Sequence, residues 1–193
     1  MNLISHNRIN LQINKSLINR QAITRGLCFI ENFLPPEDLE NLQKFANEST
    51  EWQPYDIENQ KNRSILRPNN WEYFSTFTKS FMKLTPQLKH IFKKPALYYG
   101  GFSLWRDQHK YFIAKHTDNP VIEIGLQVYL NDNSIPLPTT FVVDGVDVRA
   151  NYKINAGYVM DNSEHLEHFF WPPIPKDETR HSLYIFWKTT TDD

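Results

Sequence analysis

The sequence predicts a β-sandwich or jelly roll backed by helices, and three observations carry that expectation. Helical patterns dominate before residue 95. After Pro95 the chain turns into a succession of short strand patterns. One of these, residues 121–130, alternates cleanly between apolar and polar positions, the signature of a strand with one face on an apolar layer. Helices first and six or seven strands after is the order of a strand-built core with a helical backing.

The elements follow in turn. Leu27-Cys28-Phe29-Ile30 reads as a short buried strand. Pro36-Glu37-Asp38 opens a helix, because proline suits the first helical position and acids suit the first turn. Leu39, Leu42, Phe45 and Ala46 give this helix one apolar face. From Ser49 to Asn70 the chain is polar, with Trp52, Tyr55, Arg63 and Arg67 scattered through it. This stretch is expected to be a long loop folding over a site and contributing to specificity. Residues 71–92 predict one or two helices broken near Thr85-Pro86.

Beyond Pro95, residues 96–105 form an aromatic-rich strand. In the alternating strand, Ile122, Ile124, Leu126, Val128 and Leu130 share one face. Glu123, Gly125, Gln127 and Tyr129 share the other, and this polar face is expected to line a pocket. Phe141-Val142-Val143 and Val146-Asp147-Val148 flank Asp144-Gly145, the chemistry of a tight hairpin turn. Residues 157–160, 168–171 and 180–187 complete the set.

Composition bounds the rest. At 193 residues the chain has room for a single domain over 1–193, with 1–24 as a possible N-terminal extension. A net charge of −1 gives no electrostatic case for nucleic acid or anionic membranes. Cys28 is the only cysteine, so no intrachain disulfide or multi-cysteine zinc site is possible, and a reducing compartment fits. The first twenty residues lack the apolar core of a signal peptide. No window approaches the roughly 18 apolar residues of a membrane span. A cytoplasmic protein is expected.

Chemistry concentrates in His116-Thr117-Asp118, read with His168 and Arg180. A His and an Asp two apart on an extended segment point the same way. With a second His they form a facial triad of two imidazoles and one carboxylate, which leaves metal positions open for substrate and oxygen. His165 competes with His168 as the second imidazole; His168, heading the run His168-Phe169-Phe170-Trp171-Pro172, fits the motif context and the distance to Arg180 better. His165-x-Glu167 is itself a His-x-acid pair, read as a decoy in a turn.

Over roughly residues 25–188 the chain resembles the Fe(II)/2-oxoglutarate-dependent dioxygenase superfamily, most closely its prolyl 4-hydroxylase branch. The resemblance rests on 116–120 (His-Thr-Asp-Asn-Pro), 128–132 (Val-Tyr-Leu-Asn-Asp), Thr140-Phe141, 155–158 (Asn-Ala-Gly-Tyr), His168 and 180–183 (Arg-His-Ser-Leu). Phe33-Leu34-Pro35-Pro36-Glu37-Asp38-Leu39 resembles the helix-opening segment found upstream in such hydroxylases. It implies a double-stranded β-helix core with supporting N-terminal helices. It implies Fe(II), 2-oxoglutarate as cosubstrate and O2, and allows ascorbate as a reductant.

In the roles the resemblance implies, His116, Asp118 and His168 hold iron, and Arg180 pairs with the distal carboxylate of 2-oxoglutarate. Ser182 donates to the same carboxylate, and Tyr129 hydrogen-bonds the cosubstrate, with Gln127 beside it on the same strand face.

The activity so implied is hydroxylation of a C–H bond, coupled to decarboxylation of 2-oxoglutarate to succinate and CO2. The leading substrate is a peptidyl or protein residue, proline-like; the alternative is a free amino acid or small metabolite. A jelly-roll binding module without turnover is the alternative of another class. Two departures bear on prolyl specificity: residues 137–141 are Leu-Pro-Thr-Thr-Phe, where relatives carry Gly-Gly, and a tyrosine common about ten residues before the first ligand is replaced near Arg106. Residues 182–188 lack the second arginine of the alkylated-base demethylases. His109 and His181 read as surface or core-edge residues, Arg106, Arg149 and Lys115 as solvated. Trp52, Trp71 and Trp105 read as core or loop anchors, and Glu123 as a substrate contact or rim.

Overall fold

The computed structural model describes residues 26–55, 62–67, 72–118 and 121–189. The expected extension over 1–24, together with Trp71, Asn119 and Pro120, lies outside the described residues. The strands are β1 (Leu27–Ile30), β2 (Gln53–Pro54), β3 (Arg63–Leu66), β4 (Leu97–Asp107), β5 (Ile113–His116), β6 (Ile124–Tyr129), β7 (Thr140–Val143), β8 (Val146–Arg149), β9 (Gly157–Asp161), β10 (His168–Phe170) and β11 (Arg180–Thr189). The helices are α1 (Pro36–Glu48), α2 (Glu72–Met82) and α3 (Thr85–Phe92). Seven strands form one sheet in the order β1-β9-β6-β11-β4-β3-β2, and four form a second in the order β5-β10-β7-β8. Every pairing is antiparallel. This is the jelly-roll architecture expected of the sequence.

Period-two alternation decides what each face of the large sheet meets. Ile124, Leu126 and Val128 of β6 and Leu183, Ile185 and Trp187 of β11 enter one core. Leu42 and Ala46 of α1, Phe77 and Phe81 of α2 and Leu88 of α3 pack into the same core. Burying such apolar area is the main force holding helices to sheet. The opposite face meets the small sheet, where Phe29, Tyr129, Phe141, Val143 and Tyr158 form a second core. Asp144 and Gly145 both take positive φ, 50° and 79°, the geometry of a two-residue hairpin turn between β7 and β8.

Three sequence expectations need correction. The stretch from Ser49 to Asn70 is not one loop: Gln53–Pro54 and Arg63–Leu66 pair with each other, and the latter extends the large sheet at β4. The helical break, at Lys83-Leu84, falls beside Thr85-Pro86 as expected, because proline fits the start of α3. The alternating strand is regular only over Ile124–Tyr129, and Ile113–His116 adds a strand that its half-exposed, four-residue length conceals. Among the described residues eight strands follow Pro95, rather than six or seven. Among the described residues, no helix is long and apolar enough to cross a membrane.

Asn155, at φ 61°, fastens the chain entry to this core: its side chain accepts from the Leu34 N–H and donates to the Leu34 carbonyl, each at 2.8 Å. Two residues on, Gly157 faces β6 so closely that a Cβ there would lie 1.8 Å from the Gln127 carbonyl oxygen. Gly157→Ala must therefore push β9 off β6 beneath the cavity wall. A loss of about 3 kcal/mol is expected on urea unfolding, the upper end of overpacking effects. A variant within about 0.5 kcal/mol of the parent would contradict this close approach.

Candidate metal centre

His116 ends β5 and His168 begins β10, and the two residues are directly opposite in the β5–β10 register. Their rings lie 4.3 Å apart, centroid to centroid. Asp118 follows two residues after His116 and turns its carboxylate toward both rings. Its Oδ1 lies 3.6 Å from His116 Nε2 and 3.4 Å from His168 Nε2. One donor atom from each residue falls within 4.8 Å of the others, the one such group among the described residues. Adjacent corners of an octahedron with bonds of about 2.1 Å are about 3 Å apart, so this spacing fits a metal.

The ring tautomers are fixed from behind. His116 Nδ1 bonds the Ala114 carbonyl at 2.8 Å, and His168 Nδ1 bonds the Leu166 carbonyl at 3.3 Å. A carbonyl accepts only from N–H, so each Nδ1 carries the proton and each Nε2 keeps a lone pair for a metal. Burial works against both charged states in this cluster. For Asp118 the bonds to His116 and His168 outweigh it, and the carboxyl lies well below its ordinary range. For His116 the Asp118 bond and the Ala114 carbonyl outweigh it, and the imidazole lies above its ordinary value. A negative charge between two basic nitrogens is thus in place before any metal arrives. His165 is exposed, at φ 51° after a short helical turn, and stands away from the cluster.

The triad lines a cavity of about 280 Å³ shared with Arg63, Trp105, Tyr111, Gln127, Thr139 and Arg180, among others. Arg180 is buried and stands over the Phe170 ring at 4.0 Å. Its Nε and Nη2 donate to Asp107 Oδ2 at 3.0 and 2.7 Å, and its Nη1 donates to the Leu137 carbonyl at 3.2 Å. The guanidinium is therefore already committed along one edge. Arg63 holds the other side of the same carboxylate, from Nε to Oδ1 at 2.5 Å and from Nη2 to Oδ2 at 3.1 Å. Burial would raise the Asp107 carboxyl, but Arg63 and Arg180 outweigh it and hold it low.

The remaining site residues divide. Gln127 lines the cavity; its Oε1 accepts from the Tyr158 hydroxyl at 2.8 Å, and its Nε2 has no partner among the described residues. Tyr129 does not line it: the Tyr129 hydroxyl donates to Thr139 Oγ1 at 3.3 Å and accepts from the Thr139 N–H at 3.0 Å. Thr139 forms the wall in its place. Ser182, in register with Tyr129 and Trp105, is fully buried, and its hydroxyl has no partner among the described residues. Tyr111, whose hydroxyl is also buried and without a partner among the described residues, enters the cavity between β4 and β5. Sequence reasoning passed over Tyr111, Arg63, Asp107 and Thr139. A tyrosine five residues before His116 was the available signal for the first.

Other readings change with the structure. Arg106 is not simply solvated: its guanidinium stacks over Trp52 at 4.6 Å. Trp105 is more than a core anchor, since it lines both this cavity and a neighbouring cleft. Glu123 is tied to Lys94, which also reaches Asp161 at 3.2 Å.

No family model and no curated protein matches the sequence. Solved structures do. A prolyl-4-hydroxylase from Pseudomonas putida superposes with a TM-score of 0.67 at 16% identity, over 88% of this chain and 96% of that one. A Trichoplax adhaerens prolyl hydroxylase, in complex with a hypoxia inducible factor oxygen degradation domain peptide, gives 0.69 at 13% identity over 90% and 88%. A non-heme alpha ketoglutarate dependent carbocyclase of nogalamycin biosynthesis gives 0.66 at 9% identity over 93% and 87%. The chain shares their fold, the jelly-roll core of 2-oxoglutarate–Fe(II) oxygenases.

Proposed function

We propose that this protein is an Fe(II)- and 2-oxoglutarate-dependent dioxygenase that hydroxylates a C–H bond, yielding succinate and CO2 from the cosubstrate. The carrying observation is the convergence of His116 Nε2, Asp118 and His168 Nε2 in the cavity that Arg180 lines. The donor set fits iron, and the unpartnered polar atoms of Gln127 and Tyr111 fit an oxygen-rich cosubstrate. Iron held by the triad would supply oxygen activation.

The chain's own residues supply the rest. The Ala114 and Leu166 carbonyls keep both imidazoles in the metal-binding tautomer. Arg180, with Tyr111 beside it, holds a carboxylate by charge-assisted hydrogen bonds. Gln127 Nε2 offers a further donor. Ile113, Phe170 and Trp105 line the cavity with apolar surface and keep water out.

For the substrate, the reading is a peptidyl residue, proline-like. The triad cavity lies beside a cleft of about 570 Å³, with Tyr55, Trp105, Ile122 and Tyr184 lining both. Tyr99, Phe102 and Phe186 continue it over Gly100 and Gly101. A cleft running past the metal supports an extended chain better than a closed pocket does. The same aromatic lining favours, as second reading, a free small molecule with a ring.

The test is anaerobic titration of the apo-protein with Fe(II), then 2-oxoglutarate, watching for a weak visible charge-transfer band. A band is expected, followed in air by succinate release that proline-containing peptides stimulate more than free amino acids. Absence of the band in folded, iron-replete protein would leave a binding module or another metal.

A further inference from the structure

Arg63, Asp107 and Arg180 occupy one rung across three neighbouring strands. Arg63 is the register partner of Asp107 between β3 and β4, and Arg180 is its partner between β11 and β4. The Asp107 side chain is wholly buried, so its charge must be met by these neighbours. Arg63 takes Oδ1 and shares Oδ2, while Arg180 takes Oδ2 alone. The Arg63 guanidinium is clamped between the rings of Trp105 at 4.6 Å and Tyr111 at 4.4 Å, which fixes its plane. Arg63 and Arg180 both line the cavity that holds the triad.

This rung creates a difficulty and its own solution. A carboxylate bonded to two nitrogens of Arg180 competes with any carboxylate ligand for that guanidinium. If Asp107 served Arg180 alone, the pair would be neutral and would attract a dicarboxylate only weakly. Arg63 draws Asp107 the other way. We infer that Arg63 is a positioning residue for the cosubstrate: by sharing Asp107 it leaves the rung a net positive charge toward the distal carboxylate of 2-oxoglutarate. The inference rests on the function proposed above and assigns a role to a residue from the polar stretch between α1 and α2.

The test measures 2-oxoglutarate dissociation constants anaerobically by calorimetry on the Fe(II) protein, with iron affinity determined separately. R63Q is expected to weaken 2-oxoglutarate at least tenfold with iron affinity within twofold of the parent. R63Q/D107N, which removes the competitor together with its second partner, is expected to return to within threefold of the parent. A merely structural arginine would give no such rescue. R63Q binding as tightly as the parent, or a double variant as weak as R63Q, overturns the inference. Should R63Q fail to fold, R63K takes its place in the same comparison: an ammonium cannot span Asp107 as a planar fork does, so weakening that D107N reverses supports the role and parental affinity refutes it. A parent protein that takes up iron but no 2-oxoglutarate fails earlier, and sinks the functional reading itself.

Discussion

Asp118→Ala is expected to abolish iron retention and succinate formation while leaving the fold in place. The carboxylate is the only acid in the triad and the atom that both imidazoles face, at 3.4 and 3.6 Å. It sits after β5 rather than inside a sheet, so its removal breaks no ladder hydrogen bond. Changing an outer-sphere partner of a metal ligand already costs about 10- to 100-fold in affinity, and loss of a ligand, with its charge, must cost more. His116 should then also lose the bond that holds it above its ordinary value. The measurement is anaerobic Fe(II) titration with circular dichroism as the control for folding, followed by a succinate assay. Turnover at the parental rate in a folded Asp118→Ala protein would remove the triad from the chemistry.

The triad was legible because it needs only local rules. Side chains two apart on extended backbone share a direction, and His168 begins a strand whose aromatic run stands out in the sequence. The helical backing was legible for the same reason: a proline start and a spaced apolar face both act within a few turns. What escaped depends on register between distant strands. Arg63 and Asp107 are 44 residues apart, and Asp107 and Arg180 are 73 apart. Nothing near Arg63 marks it as a cavity residue, because Arg63-Ser64-Ile65-Leu66 is a four-residue strand set in polar surroundings.

Tyr129 shows the opposite failure. Its strand face was read correctly, since Gln127 on that face does reach the cavity. Alternation gives the side of the sheet but not the depth along it. Tyr129 lies where β6 closes against the small sheet, and Thr139 from the segment before β7 takes its hydroxyl. Tyr111 likewise joins the cavity from the turn before β5, five residues ahead of His116.

Arg180→Met should separate the cosubstrate from the metal more sharply than any other single change. The side chain stays apolar and unbranched but loses the guanidinium that stands over Phe170, and with it every donor. Truncating one partner of a buried, hydrogen-bonded charge pair costs about 2–5 kcal/mol, which corresponds to roughly 30- to 5,000-fold weaker 2-oxoglutarate binding. Iron affinity should stay parental, since no triad atom bonds Arg180. Stability should fall as well, because Asp107 keeps only Arg63 and the Leu137 carbonyl loses its donor. Breaking a buried pair in this way costs about 3–5 kcal/mol. Arg180→Lys then divides the two effects: an ammonium restores charge but cannot span Asp107 and a ligand as a planar fork does. It should recover part of the stability and little of the affinity. Parental 2-oxoglutarate binding by Arg180→Met, in protein shown to be folded, would mean that the cosubstrate is held elsewhere in the cavity.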